Sequence, residues 1–338
     1  MLLGNDITHR IQIVFCIKID NNETSIVFSN YGARIVAWKF HDNNIVLGNR
    51  VEADEFYLNN PLKFGATIGR YSGRIEAGAF KLNQDRYQLE QNDGLNHIHG
   101  GSNGCDQVLF DYDIVEGISD VKVIFKAKLN ASDDGYPGEL ALKVIHHYDI
   151  EHRWTITYEA ETTATTIFNP TNHVYFNLNR DNNVIDNHQI HAKDLKMYLL
   201  NRQHFLLNDT PINLTSQFGS DHITFQEIFQ AHQDDIKQQM ERYQGLDHPF
   251  ELSEQTLSVE NGEFKLQIDT DMPYVVIYTM NHPETWESQL NIYKPHSGFT
   301  LETQFLPNDI NYFGQQAPSI LRAGQQFSST TSYQISEQ

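Results

Sequence analysis

Five polar stretches of the chain carry most of the side chains that could bind a ligand or move a proton. Their arginine, histidine, aspartate and glutamate residues supply hydrogen-bond donors and acceptors, metal ligands and titratable groups. Polar residues collected on loops above a rigid sheet commonly form functional sites, so we expect these stretches to converge. The stretches are 69–75 (GRYSGRI), 96–101 (NHIHGG), 169–178 (NPTNHVYFNL), 245–250 (GLDHPF) and 301–304 (LETQ).

The second stretch contains a His-x-His pair, which is one element of a metal site. His97 and His99 could bind an ion as in a cupin-like barrel, where a carboxylate follows a few residues later. A metal site needs three or four suitable ligands. The next glutamate is Glu116 and only Asp106 lies between, so the spacing disfavours a metal site.

The same region also matches a serine-hydrolase pattern. Residues 100–104 (GGSNG) fit G-x-S-x-G around Ser102. That motif works only between a strand and a helix. A glycine-rich polar loop precedes Ser102 and a poor helix start follows it, so the match is interpreted as a coincidence.

The elements that must position these residues are predominantly strands. Between Ile11 and Ile19 every second residue is Ile or Phe, and these alternate with Gln12, Val14, Cys16 and Lys18, which predicts a strand with one buried face. The same period returns in segments rich in β-branched and aromatic residues: 121–129, 140–148, 154–158, 264–268 and 274–279. Hairpin turns are predicted at 83–85 and 260–262. Strands that follow strands without alternating helices predict an all-β fold, a large antiparallel β-sandwich with few short helices.

Only one segment reads as a longer helix. Between Thr224 and Tyr243 the apolar residues recur near helical spacing, and Thr224 with Glu227 forms a capping-box pattern. The chain contains neither a Gly/Ser/Pro-rich linker nor a repeat of fixed period, so residues 1–338 are predicted to form a single domain.

Composition excludes several classes of function. The 338 residues include 24 Lys+Arg and 44 Asp+Glu, a formal charge of −20, which argues against a nucleic-acid partner. Two cysteines are too few for a disulfide scaffold and fit a reducing compartment. The sequence has no apolar run of membrane-spanning length and no signal-peptide pattern, so we predict a cytoplasmic protein without membrane association.

The five stretches, in this order, resemble the aldose 1-epimerases, also called galactose mutarotases. The similarity extends over most of the chain, from 30–33 (NYGA) through 65–70 (GATIGR) to 318–324 (PSILRAG). It implies a large antiparallel β-sandwich and the interconversion of the α and β anomers of a free aldose such as galactose or glucose. It implies a monosaccharide substrate, no cofactor and no metal; whether the chain is a monomer or a homodimer stays open.

The resemblance also implies a role for each candidate site residue. Glu302 is implied to be the catalytic base and His173 the catalytic acid. His99 is implied to hydrogen-bond the sugar near its ring oxygen, Asp247 to accept hydrogen bonds from sugar hydroxyls, and Arg74 to donate to them. Charged partners form the stronger hydrogen bonds to a neutral polyol.

Each assignment has a structural alternative. Arg74 could tie a loop together, Asp247 could cap a turn, and Glu302 could face water on a strand. An aromatic pocket wall is also expected, for which Tyr71 and Tyr175 are both candidates.

Two positions depart from the family pattern, and two rival functions follow from the same fold. Gly73 stands where many members carry Asn, and Val276 where some carry Gln; either change could shift the preferred aldose. The rivals are a non-catalytic sugar-binding protein and a hexose-6-phosphate 1-epimerase, which would need an added cationic cluster for the phosphate.

Overall fold

The structure is a computed structural model that describes residues 3–5, 14–21, 23–48, 60–181, 184–283 and 293–338. The first half of the described chain forms strands β1 (Leu3–Asn5), β2 (Val14–Asn21), β3 (Thr24–Ser29), β4 (Arg34–Phe40), β5 (Asn43–Asn44), β6 (Thr67–Ile68), β7 (Arg74–Ile75), β8 (Ala79–Leu82), β9 (Asp85–Gln88), β10 (His97–Ile98), β11 (Asp111–Glu116), β12 (Asp120–Leu129), β13 (Leu140–Asp149) and β14 (Arg153–Thr162).

The second half continues with short strands around the cavity and longer ones in the sheets. These are β15 (Thr166–Ile167), β16 (Thr171–Asn172), β17 (Tyr175–Phe176), β18 (Gln189–His191), β19 (Leu195–Met197), β20 (Ile212–Asn213), β21 (His222–Thr224), β22 (Asp247–Leu252), β23 (Thr256–Glu260), β24 (Phe264–Thr270), β25 (Tyr274–Tyr278), β26 (Phe299–Thr300), β27 (Glu302–Gln304), β28 (Ile320–Leu321) and β29 (Gln326–Glu337). Helices are short: α1 (Ala131–Asp134), α2 (Leu214–Phe218), α3 (Phe225–Phe229), α4 (Asp234–Tyr243) and α5 (Asp309–Phe313).

The strands assemble into three main sheets within the described residues. A nine-stranded sheet runs β11-β12-β13-β14-β29-β24-β23-β18-β21, and two five-stranded sheets run β1-β2-β3-β4-β5 and β20-β19-β22-β25-β27. The long ladders are antiparallel, as between β13 and β14. The predicted all-β, antiparallel sandwich with few short helices is therefore confirmed.

Alternating burial shows why these sequences form layers. Successive residues of β13 and β14 alternate between buried and more exposed positions, so each strand presents one face to the core. The first five-stranded sheet packs on this face, where the ring of Trp38 in β4 meets that of Trp154 in β14 edge-on at 6.0 Å. Phe176 and Tyr333, with ring centroids 5.4 Å apart, extend the same core toward the strands that carry the cavity.

The predicted strands and hairpins agree with the structure in kind and differ at their ends. β2 begins at Val14, and the predicted residues 11–13 lie outside the described residues. The hairpin turns predicted at 83–85 and 260–262 join β8 to β9 and β23 to β24.

The predicted continuous helix from Thr224 to Tyr243 is wrong in its middle. Thr224 does form the capping box with Glu227. The first helix ends at Phe229, and a second begins at Asp234. In this gap the side chain of Gln233 donates to the carbonyl of Gln217. This contact lies outside the segment, so the spacing of apolar residues could not predict it.

No helix in the described ranges is long and apolar enough to cross a membrane.

Candidate active site

One cavity of about 860 Å³ brings the five predicted site residues together. Arg74, His99, His173, Asp247 and Glu302 all line it, although they come from stretches spread over more than two hundred residues of sequence. The expected convergence of the stretches is thus observed. Other lining residues include Lys63, Asp93, Tyr175, Arg202, His204, Arg242, Tyr243, Val276, Tyr278, Gln304 and Tyr312.

Glu302 and His173 face each other at the bottom of this cavity. The His173 Nε2 atom lies 3.6 Å from Glu302 Oε1, and both side chains are almost fully buried. Glu302 opens β27, which pairs with β25, and it accepts a hydrogen bond of 2.9 Å from the Thr300 hydroxyl. The expectation that Glu302 could merely face water on its strand is therefore excluded by its burial.

The backbone around His173 fixes the imidazole against the carboxyl. The His173 amide donates to the Ala66 carbonyl at 2.9 Å, and the His173 carbonyl accepts from Gly65 at 3.0 Å. Its ring packs edge-on against Tyr175 with the centroids 5.2 Å apart. Tyr175 thereby forms part of the aromatic wall, whereas Tyr71 is buried outside the cavity lining and donates to Asp309.

Burial shifts the pKa values of both groups toward their neutral forms. Desolvation raises the pKa of Glu302 to about 8, although the Thr300 hydroxyl opposes the shift. Desolvation, with the positive charge of Lys63, lowers the pKa of His173 to about 4. Between these values the pair holds one proton, shared by two groups whose nearest atoms are 3.6 Å apart.

His99 stands beside His173 on an unusual backbone. Its φ of 55° lies in the left-handed region, where histidine is more common than most non-glycine residues. The next residue must be glycine, because a Cβ on Gly100 would lie 1.8 Å from the Gly69 carbonyl oxygen. This turn sets the His99 and His173 rings 5.2 Å apart and nearly perpendicular. Burial and the neighbouring His173 hold the pKa of His99 well below its usual value, so the ring is neutral at pH 7.

Arg74 and Asp247 form the charged part of the cavity wall. Arg74 donates from Nε to Asp93 Oδ2 at 2.7 Å, and its Nη1 lies 3.8 Å from Asp247 Oδ2. The same Asp247 oxygen lies 3.0 Å from Nδ1 of His204. Burial alone would raise the pKa of Asp247, but its close contact with His204 and the Arg74 charge outweigh burial, so the pKa lies below its usual value. Asp247 is therefore an anionic acceptor at neutral pH.

Asp93 and His204 are site residues that the sequence analysis missed. Each lies in a loop, and neither belongs to a recognisable motif. Their signal is spatial, because each binds a predicted residue through a contact of 2.7–3.0 Å. The polar partners of Arg74 and Asp247 can be identified only from the folded structure, because they come from distant loops.

The Gly73 and Val276 departures have different structural settings. Gly73 has a φ of 69°, and a Cβ there would lie 2.9 Å from the Pro307 ring, so glycine suits this turn. Val276 pairs with Glu302 across β25 and β27, and it lends an apolar patch to the cavity. Gln304 follows Glu302 by two residues in β27, so its side chain lies on the same face of the strand and also lines the cavity. Its Oε1 is buried and has no hydrogen-bond partner among the described residues.

The two generic alternatives fail on geometry. His97 is fully buried, its Nδ1 lies 2.8 Å from the Glu90 carbonyl oxygen and its Nε2 lies 2.7 Å from the Tyr136 hydroxyl, so it cannot join His99 in a metal site. Ser102 donates to the Glu90 carboxylate and has no histidine partner among the described residues. The residues after it form a 3₁₀ turn at Cys105–Gln107, not the helix of a nucleophile elbow.

Comparisons with known proteins identify the family and agree with the fold. The family model described as aldose 1-epimerase matches residues 16–334. Galactose mutarotase from Bos taurus is 28% identical over 336 residues, covering 94% of this chain and 93% of the relative. Aldose 1-epimerase from Escherichia coli K12 is 28% identical over 300 residues, covering 83% of this chain and 82% of the relative.

A solved structure extends the comparison to the fold. Galactose 1-epimerase from Lactobacillus acidophilus superposes with a TM-score of 0.85 and covers 100% of this chain and 99% of its own, at 24% identity. Since the family model spans nearly the whole sequence, the chain belongs to the aldose 1-epimerase family.

Proposed function

We propose that this chain interconverts the α and β anomers of a free hexose such as galactose or glucose, with Glu302 as base and His173 as acid. The observation that carries the proposal is the buried carboxyl–imidazole pair, 3.6 Å apart, in a cavity that also presents Arg74 and Asp247. A pyranose has one hydroxyl and one ring oxygen flanking its anomeric carbon, which two adjacent proton-transfer groups can serve.

The reaction requires two coordinated proton transfers. The base removes the proton from the anomeric hydroxyl while the acid protonates the ring oxygen, and the C1–O5 bond breaks. The aldehyde then turns about the C1–C2 bond, and the ring closes on its other face as both transfers reverse. No electrons leave the sugar, so the scheme needs no redox partner.

The proton inventory of the pair fits this scheme. In the reactive form Glu302 is a carboxylate and His173 an imidazolium, which together hold one proton. Ring opening moves one proton onto Glu302 and one away from His173, which leaves the neutral carboxyl and neutral imidazole that burial favours. Ring opening therefore neutralises the buried Glu302 carboxylate and the buried His173 imidazolium, and ring closure restores both charges.

The remaining site residues are proposed to hold the sugar. Asp247 accepts hydrogen bonds from ring hydroxyls, Arg74 donates to them, and His99 binds near the ring oxygen. The pairing of Arg74 with Asp93 and of Asp247 with His204 supports this role, because both charged groups are oriented before the sugar arrives. Gly73 and Val276 line the cavity where family members carry the polar residues Asn and Gln. We propose that these two replacements influence which aldose is preferred.

Polarimetry tests the proposal directly. Purified protein should accelerate the change in optical rotation of fresh α-D-galactose in the presence of EDTA. Glucose, xylose and glucose 6-phosphate are measured in the same way, and a strong preference for the phosphate would favour the hexose-6-phosphate 1-epimerase alternative. Sugar binding without acceleration would favour the non-catalytic binding protein and would contradict the proposal.

We further propose that residues 1–338 form a single cytoplasmic domain that is a monomer or a homodimer. A buried cluster with members from all three main sheets supports one folding unit. One cooperative unfolding transition, together with the mass from light scattering, tests the domain count and the oligomeric state.

A further inference from the structure

His191, Asp221 and His222 form a group of metal-binding side chains outside the catalytic cavity. One ligand atom from each lies within 4.8 Å of those of the other two, and none of the three lines the cavity. It is the one such group of three or more in the part of the chain that the structure describes.

The sheet register brings the two histidines together. His191 in β18 pairs directly with His222 in β21, the last strand of the nine-stranded sheet. Side chains opposite each other in an antiparallel pair lie on the same face with their Cβ atoms about 5 Å apart. The rings stack with 4.0 Å between centroids and 16° between planes.

Asp221 supplies the third ligand from the residue before β21. Its Oδ1 lies 3.1 Å from His222 Nδ1, and its Oδ2 lies 3.4 Å from His191 Nε2. Ligand atoms bound tetrahedrally at Zn–N distances of about 2.0–2.1 Å are separated by about 3.3 Å. The carboxylate thus already stands at ligand spacing from both imidazoles.

To bind one ion, the stacked rings must rotate so that a nitrogen of each points to the same centre. The side chains of His191, Asp221 and His222 are 37%, 55% and 43% exposed, so neighbours do not lock them. The torsion that turns an imidazole about its Cβ–Cγ bond is broad, and the rotation costs little.

We propose that His191, Asp221 and His222 bind one zinc-like divalent transition ion. Two imidazoles and one carboxylate suit such an ion better than Mg²⁺ or Ca²⁺, which prefer oxygen ligands. Water completes the coordination. The ion ties the short edge strand β21 to β18 and stabilises the start of the segment that continues into α3 and α4. This site does not depend on the proposed function.

Titration calorimetry of ZnCl₂ into the untagged full-length chain tests the site. We expect one binding site in the wild type, with the dissociation constant rising more than about tenfold in His191→Gln and in His222→Gln, because each removes a ligand. His147→Gln is the matched control: His147 is also a surface histidine 2.8 Å from an aspartate, Asp120, and its loss should leave zinc binding unchanged.

Thermal unfolding provides a second measurement on the same proteins. Zinc should raise the melting temperature of the wild type and of His147→Gln, and should raise it less in the two ligand variants. Mutarotation by the ligand variants should equal that of the wild type. Absence of a zinc site, or unchanged binding in both His191→Gln and His222→Gln, would overturn the proposal.

Discussion

Replacing Glu302 with glutamine should remove most of the activity and make the folded protein more stable. Burial raises the pKa of this carboxyl from 4.5 to about 8, so the folded state binds the proton more tightly than the unfolded chain does. Below about pH 4.5 the raised carboxyl pKa does not lower the free energy of unfolding, and the loss of free energy of unfolding grows as pH rises toward 8. At pH 7, two and a half pH units above the ordinary value, it amounts to roughly 3 kcal/mol at 1.36 kcal/mol per unit.

Glutamine avoids this cost because it is uncharged at every pH. It has nearly the same shape as glutamate, and its oxygen can still accept the hydrogen bond that Thr300 donates. It cannot accept the proton of the anomeric hydroxyl, and loss of a general base typically costs about 10²–10⁴-fold in rate. The same substitution should therefore change activity and stability in opposite directions.

Urea unfolding at pH 4.5 and pH 7, with polarimetry at pH 7, measures both effects. The free energy of unfolding of Glu302→Gln should equal that of the wild type near pH 4.5 and exceed it at pH 7. Glu159→Gln, which removes an exposed carboxylate paired with Lys143, is the control and should change neither property appreciably. A variant that is no more stable at pH 7 than at pH 4.5, relative to the wild type, would refute the reasoning about burial even if activity is lost.

Three further outcomes are expected. His173→Asn should lose most of the mutarotation rate, again by about 10²–10⁴-fold, while circular dichroism shows an intact fold; full activity would contradict its role as acid. The profile of kcat/KM against pH should be bell-shaped, since the Glu302–His173 pair is active only with one proton: it falls below about pH 4 as the pair gains a second proton and above about pH 8 as it loses the first. Ser102→Ala should leave mutarotation unchanged, and the chain should not cleave an ester substrate or react with a serine-directed inhibitor; a loss of rate would reopen the hydrolase interpretation.

Local sequence patterns predicted the strands and the capping box because both depend on neighbouring residues. The alternation in β13 and β14 and the Thr224–Glu227 spacing are properties of short segments. The break between α3 and α4 was not predictable in this way. Phe229 and Ile236 are seven residues apart, which keeps them on one helical face with or without the break, and the Gln233 contact that accompanies it lies sixteen residues away.

The candidate site likewise contains residues that the sequence could predict and residues that it could not. Residues within distinctive motifs, such as His99 and His173, were identified through the family resemblance, and the structure brings them into one cavity. Asp93 and His204 were missed because loop residues without a motif gain significance only from what they touch. The pKa values of the catalytic pair are likewise consequences of burial, which depends on the whole fold.

The position of β29 in the middle of the nine-stranded sheet affects how the protein reaches its native state. β29 lies between β14 and β24, and its pairing of Arg153 with Gln334 joins residues 181 apart in sequence. Adjacent hairpins can form early, but the two halves of this sheet join only through a strand recruited across a very large loop. Closing so large a loop costs conformational entropy before the stabilising contacts form, so we expect slow folding. During that time the unpaired edges of both half-sheets can associate with other chains.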